Sequence, residues 1–177
     1  MNLLGYGPEI RHKRIEERNK SDMLFNAYQR VYVEPLFITA GSKAEGLTCR
    51  YENDTDLIFV MPNTLLLEDG VHESTIPDHI NVLKMNMQSC SAGYCRPLLV
   101  RLAPSMPYAL VNAFCYDGYG SFLLSSTYLV EQIENEARVS YLPYTVFNAR
   151  AGPSLPWSHG AQKTDFVGAI RCNCLVI

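Results

Sequence analysis

Two carboxylates, Asp54 and Asp56, stand two residues apart at the head of an apolar run, Leu57-Ile58-Phe59-Val60-Met61. Side chains alternate across a strand, so both acids point to one face. Their backbone separation is roughly 7 Å at the usual rise per residue. A pair at that spacing can bridge two hard cations roughly 4 Å apart and assist in-line attack of a hydroxyl on a phosphate. Mg2+ (or Mn2+) suits such oxygen ligands and keeps places for water and substrate phosphates. Alone the pair is a weak signal, because acids are mostly exposed and Glu52 shares the same parity.

Two further features strengthen it. Gly41-Ser42 follows the strand-like run Leu36-Phe37-Ile38-Thr39-Ala40. A glycine there lets backbone approach a phosphate, and a helix start aims free N–H groups at an anion. The Ser42 hydroxyl can bond the same phosphate. Ser42-Lys43-Ala44-Glu45 also fits a capping box that would start a short helix. Lys43 is expected to be solvent-exposed. Asp165 opens another apolar run, Phe166-Val167, and supplies a third acid.

The elements that must position these residues can be read coarsely. Pro8 at a first helical position and Glu9 in the first turn predict a helix over Pro8–Arg30. Its apolar stripe would be Ile15, Met23, Leu24, Ala27, Tyr28 and Val31. The polar half RHKRIEERNK is expected to be a solvated, charge-laced face. Leu36–Ala40 and Asp56–Met61 read as buried strands, with Pro62-Asn63 closing the second and residues 63–79 as loop. Val82–Gln88 and Arg96–Leu102 read as a hairpin around Ser91-Ala92-Gly93. A Pro-rich stretch, Pro104 to Pro107, separates it from a helix over Phe122–Val139, capped by Ser121. Tyr144–Phe147 reads as a strand, Ala151–Gly160 as loop and Lys163–Arg171 as a last strand. The irregular interleaving predicts an α+β fold, a mixed sheet packed with a long N-terminal helix and a second helix.

Composition sets the class. The chain has 177 residues, 47% of them apolar and 19% charged, with a net charge of −3. That fits one globular domain, and it excludes a chain that binds nucleic acid by bulk charge. The six cysteines, Cys49, Cys90, Cys95, Cys115, Cys172 and Cys174, form no C-x-x-C pair. Cys90-x4-Cys95 is at most half a zinc site, so reduced structural thiols are expected. The start lacks a signal-peptide pattern and no run approaches a membrane span, which points to a cytoplasmic (or nuclear) protein without membrane partners. The sequon Asn53-Asp54-Thr55 reads as chance in that setting.

Together, GSKAEGL and then NDTDLIFV resemble the male-abnormal-twenty-one family of nucleotidyltransferases, which includes the animal cyclic GMP-AMP synthase-like receptors. Ala92-Gly93-Tyr94 is similar to the turn of that family's central hairpin. Gly152-Pro153 and Lys163-Thr164-Asp165-Phe166-Val167 are similar to the segment leading into its third carboxylate. The resemblance implies a nucleotidyltransferase-type sheet over residues 1–177 and a chain that stops, at Ile177, before the family's C-terminal helical lobe. It implies that Gly41 and Ser42 hold a triphosphate and that Asp54, Asp56 and Asp165 bind two Mg2+ ions. The implied reaction joins ATP or GTP into a cyclic dinucleotide messenger of innate immunity. The implied activator is double-stranded RNA or DNA on a basic surface including Arg11, Lys13, Arg14, Arg18 and Lys20. Two other readings compete: a catalytically silent relative acting as a nucleic-acid- or protein-binding scaffold, and an unrelated α+β domain with accidental acids.

Overall fold

The structure is a computed structural model that describes residues 7–29, 36–48, 52–68, 70–88, 90–104, 108–140, 145–150 and 152–173. Arg30, Val31, Cys49, Pro107, Tyr144, Ala151 and Cys174 lie outside them. The fold is mixed α+β. Among the described residues it contains a large mixed sheet with strand order β5-β6-β4-β3-β2-β9-β8-β7, and β1 pairs β2 off that path. In chain order the strands are β1 (Leu36–Ala40), β2 (Asp54–Leu67), β3 (Asn81–Asn86), β4 (Arg96–Arg101), β5 (Phe114–Tyr116), β6 (Phe122–Leu124), β7 (Thr145–Phe147), β8 (Ser154–His159) and β9 (Gln162–Asn173). The helices are α1 (Pro8–Gln29), α2 (Gly41–Ala44), α3 (Tyr108–Val111) and α4 (Ser126–Ser140). No helix among the described residues is long and apolar enough to cross a membrane.

The chain divides into two units, one of residues 1–62 and 142–169, the other of residues 63–141 and 170–177. In the first unit, β1 pairs antiparallel with β2, Phe37 opposite Phe59 and Ala40 opposite Asp56. Helix α1 binds the β1 backbone through side chains. Phe37 N–H donates to Asn26 Oδ1 and Asn26 Nδ2 donates to the Phe37 carbonyl, both at 2.7 Å. The Asp22 carboxylate accepts from Thr39 N–H at 2.8 Å and from the Thr39 hydroxyl at 2.7 Å. These bonds satisfy strand groups that would otherwise be left open at an edge.

That arrangement corrects the expected stripe of α1. Arg14, Ile15, Arg18 and Asp22 are half-buried and Asn26 is buried, whereas Met23 is 73% and Leu24 and Tyr28 are each 65% exposed. The inward face is therefore mostly polar, repeating every four residues. The polar half is not simply solvated either. Arg11 Nε donates to the Glu45 carbonyl at 2.6 Å. Gly46 packs beneath it, and a Cβ there would come within 2.5 Å of the Arg11 carbonyl.

The second unit holds the most deeply buried side chains among the described residues. Leu67, Leu83, Leu110, Val82 and Asn81 are its largest fully buried side chains. Residues 63–67 are strand, not loop. Pro62 and Asn63, expected to close β2, are instead passed through, with Asn63 at φ 47°. The run Thr64–Leu67 then pairs in parallel with β3, Thr64 opposite Asn81. Buried Asn81 secures the register: its Nδ2 donates to the Asn63 carbonyl at 3.0 Å and its Oδ1 accepts from Ala103 N–H at 2.8 Å. The hairpin of β3 and β4 forms as expected.

Two other expectations change. Phe122–Leu124 is strand β6, paired with β5, so the second helix starts only at Ser126. Its cap is Ser125, whose Oγ accepts from Tyr128 N–H at 3.3 Å, and not Ser121. Residues 154–159 form β8 between β7 and β9, with Pro156 opposite Asp165. Proline punctuation had hidden both this strand and the far half of β2, because pairing with neighbours outweighs the missing N–H.

Candidate functional site

Gly41, Ser42, Asp54, Asp56 and Asp165 all lie in the first unit. Strand β1 delivers Gly41 directly after Ala40, which is paired with Asp56. Gly41 takes φ +62°, and a Cβ there would stand 2.0 Å from Asp56 Oδ2 and 3.0 Å from its Cγ. Only glycine fits both the left-handed backbone and the space the carboxylate fills. The chain thus brings the Gly-Ser step against the second acid of the pair.

Asp165 reaches the same face from β9. Lys163 N–H donates to the Asn53 carbonyl at 2.6 Å, and further along the strands the Phe166 ring lies 5.5 Å from that of Phe59. Advancing along β2 thus advances along β9, so the two strands run in the same sense. The Phe37 ring, 5.5 Å from Phe59 and 6.0 Å from Phe166, marks one face of the sheet, where Phe25 from α1 joins it at 5.3 Å. Alternation puts Asp54, Asp56 and Asp165 on the other face. Asp54 is exposed; Asp56 and Asp165 are half-buried.

None of the three carboxylates has a hydrogen-bond or ion-pair partner among the described residues. Like charges sharing a face repel, and a hard cation relieves that repulsion. Among the described residues no three His, Cys, Asp or Glu side chains are gathered closely enough to hold a metal ion by themselves. Mg2+ ordinarily uses one or two carboxylates plus water and substrate phosphates, so the donor chemistry fits this open face. The same finding leaves Cys90 and Cys95 without a zinc group among the described residues, where Cys90, Cys95 and Cys115 are free thiols.

Two local expectations are corrected. Helix α2 begins at Gly41, its cap position is Ala40, and no side chain caps it. Ser42 therefore sits inside the first turn with its side chain exposed, and Glu45 closes the helix through its N–H to the Gly41 carbonyl. The capping box fails because the β1 pairing holds Ala40 extended, so that the turn starts two residues early. Lys43, expected in solvent, is only 7% exposed. Its Nζ donates to the Glu52 carbonyl at 2.7 Å and to Thr55 Oγ1 at 2.6 Å. It thereby holds the residues on both sides of Asp54. A lone lysine after Gly-Ser gives no sequence signal of this role, because its acceptors are a backbone carbonyl and a hydroxyl distant in sequence.

No family model, curated protein or solved structure matches this chain.

Proposed function

We propose that this chain is the core of a metal-dependent nucleotidyltransferase, similar to the cyclic dinucleotide synthases of the male-abnormal-twenty-one family. It would join ATP or GTP into a cyclic dinucleotide messenger of innate immune signalling. The observation that carries the reading is the contact of Gly41 with the Asp56 carboxylate, on the face that Asp54 and Asp165 share. A Gly-Ser step beside two or three unpaired carboxylates is what a triphosphate with bound cations requires.

In this reading Asp54, Asp56 and Asp165 would hold Mg2+ or Mn2+. When bound, the ions supply a lowered hydroxyl pKa and charge neutralisation on the leaving pyrophosphate. The chain's own residues do the rest. Gly41, lacking a side chain, leaves the carboxylate of Asp56 open beside the backbone. The exposed Ser42 hydroxyl donates to a phosphate oxygen. Lys43 keeps the start of β2 in register with Gly41 through Glu52 and Thr55.

The test is incubation with ATP, GTP, Mg2+ or Mn2+ and double-stranded RNA or DNA, reading pyrophosphate release and nucleotide products. The Asp54→Asn/Asp56→Asn variant should lose both. Activity that persists in it removes these residues from the reaction. A folded wild-type chain that binds the duplex and yields no product supports the scaffold reading instead.

A further inference from the structure

A separate cavity of about 350 Å3 opens between α1 and the segment after β1. Among the described residues it is lined by Arg14, Glu17, Arg18, Lys20, Ser21, Leu24, Lys43 and Thr48, all in the first unit. None of Gly41, Ser42, Asp54, Asp56 or Asp165 is among them. Its volume lies within the range of small-molecule sites, about 300–1,000 Å3.

Four of the lining side chains are cationic and one is a carboxylate. Arg14, Arg18 and Lys20 have no ion-pair partner among the described residues. Arg14 and Arg18 stand four residues apart on α1, where like charges face each other and disfavour the helix. Among the described residues Arg14 reaches an acceptor only at 3.5 Å, the Gly46 carbonyl, which leaves most of its donors open there. The Thr48 hydroxyl is buried without a hydrogen-bond partner. A buried hydroxyl and converging unpaired cations each carry a free-energy cost that a bound polyanion removes.

We propose that this cavity is a binding site for a small polyphosphate, a molecule with two or more linked phosphates. Arg14 and Arg18 supply planar donor forks, Lys20 a point charge at the rim, and Thr48 a neutral hydrogen bond from the floor. A cavity of this volume matches a compact ligand better than the extended backbone of a duplex. The site is independent of the proposed reaction, because it needs neither a metal ion nor the carboxylate face.

The experiment is calorimetric titration of the chain with inorganic tripolyphosphate in buffer containing EDTA, with orthophosphate and a short RNA duplex as parallel ligands. Tripolyphosphate should bind wild type and the Asp54→Asn/Asp56→Asn variant alike. Arg14→Gln/Arg18→Gln should weaken it at least about tenfold, the effect of losing a charge-assisted hydrogen bond. Lys20→Gln and Thr48→Val keep the test sound should the arginine variant fold poorly, and each should weaken binding severalfold. Orthophosphate should bind much more weakly. Four results overturn the proposal: no tripolyphosphate binding by folded wild type, binding indifferent to Lys20 and Thr48, loss of binding in the Asp54/Asp56 variant, or a duplex that depends on the arginines when tripolyphosphate does not bind. Loss in the carboxylate variant would move the anion to the candidate active site, whereas failure of nucleotidyl transfer alone leaves this cavity untouched.

Discussion

Gly41 carries two separable demands, a left-handed backbone and a missing side chain beside Asp56. Gly41→Ala should destabilise by roughly 1–3 kcal/mol, because it meets both. In an Asp56→Ala background only the backbone demand remains, so the penalty should shrink. A double-mutant cycle by urea denaturation reads this as a coupling of about 1 kcal/mol or more. Equal penalties in both backgrounds would show that Gly41 and Asp56 do not touch. Lys43 is the other residue whose role is local. Lys43→Met leaves the Glu52 carbonyl and the Thr55 hydroxyl without their donor and should cost roughly 2–3 kcal/mol. It should also lower any nucleotidyl transfer, since it frees the start of β2. A fully stable Lys43→Met protein would show that these two hydrogen bonds add no net stability.

At the scale of elements, β1 depends on side chains of α1 as much as on β2. Asn26→Ala removes both bonds to Phe37 and should cost roughly 2 kcal/mol. Amide exchange should report it selectively, with Phe37 and Thr39 losing protection before the β8 amides do. The second helix offers a sharper discrimination. Ser125→Ala should cost about 1 kcal/mol as a lost cap, whereas Ser121→Ala should leave the helix unaffected. Ser121 uses its backbone in the turn before β6, donating to Asp117 Oδ1 at 3.0 Å. In the β3–β4 hairpin, burial raises the Cys95 thiol pKa, with the Cys90 and Cys172 thiols adding to the shift. Cys95 should therefore alkylate more slowly than exposed Cys172 near neutral pH. The sign for stability follows from the raised value. The folded chain keeps this proton longer than the unfolded chain, so the contribution is present below the ordinary thiol range. It is lost as pH rises through the raised folded value.

At the scale of the whole molecule, burial is uneven. The largest fully buried side chains, Leu67, Leu83, Leu110, Val82 and Asn81, all belong to the unit of residues 63–141 and 170–177. The unit with the candidate site relies instead on an aromatic row, Phe25, Phe37, Phe59 and Phe166, and on polar ties such as Asn26 to Phe37. Regions with fewer buried apolar contacts open more readily. Amides of β3 and β4 should therefore exchange more slowly than those of β1 and β8 under native conditions. The reverse order would mean that the polar ties outweigh the apolar core.

The sequence by itself determined the short-range features. Leu36–Ala40 as a strand, the hairpin around Ser91-Ala92-Gly93, the span of α1 and the pairing of Asp54 with Asp56 on one face all follow from patterns over a few residues. Such patterns act through backbone sterics and alternation, which any neighbour leaves intact. Tertiary structure alone decided the rest. It carried β2 through Pro62 and built β8 around Pro156, because partner strands supply what the local signals withhold. It turned the polar stripe of α1 inward onto β1 and buried Lys43 beside Glu52 and Thr55. It also set Gly41 against Asp56 and Asp165 on the face of Asp54 and Asp56, since register between strands distant in sequence is a property of the assembled sheet.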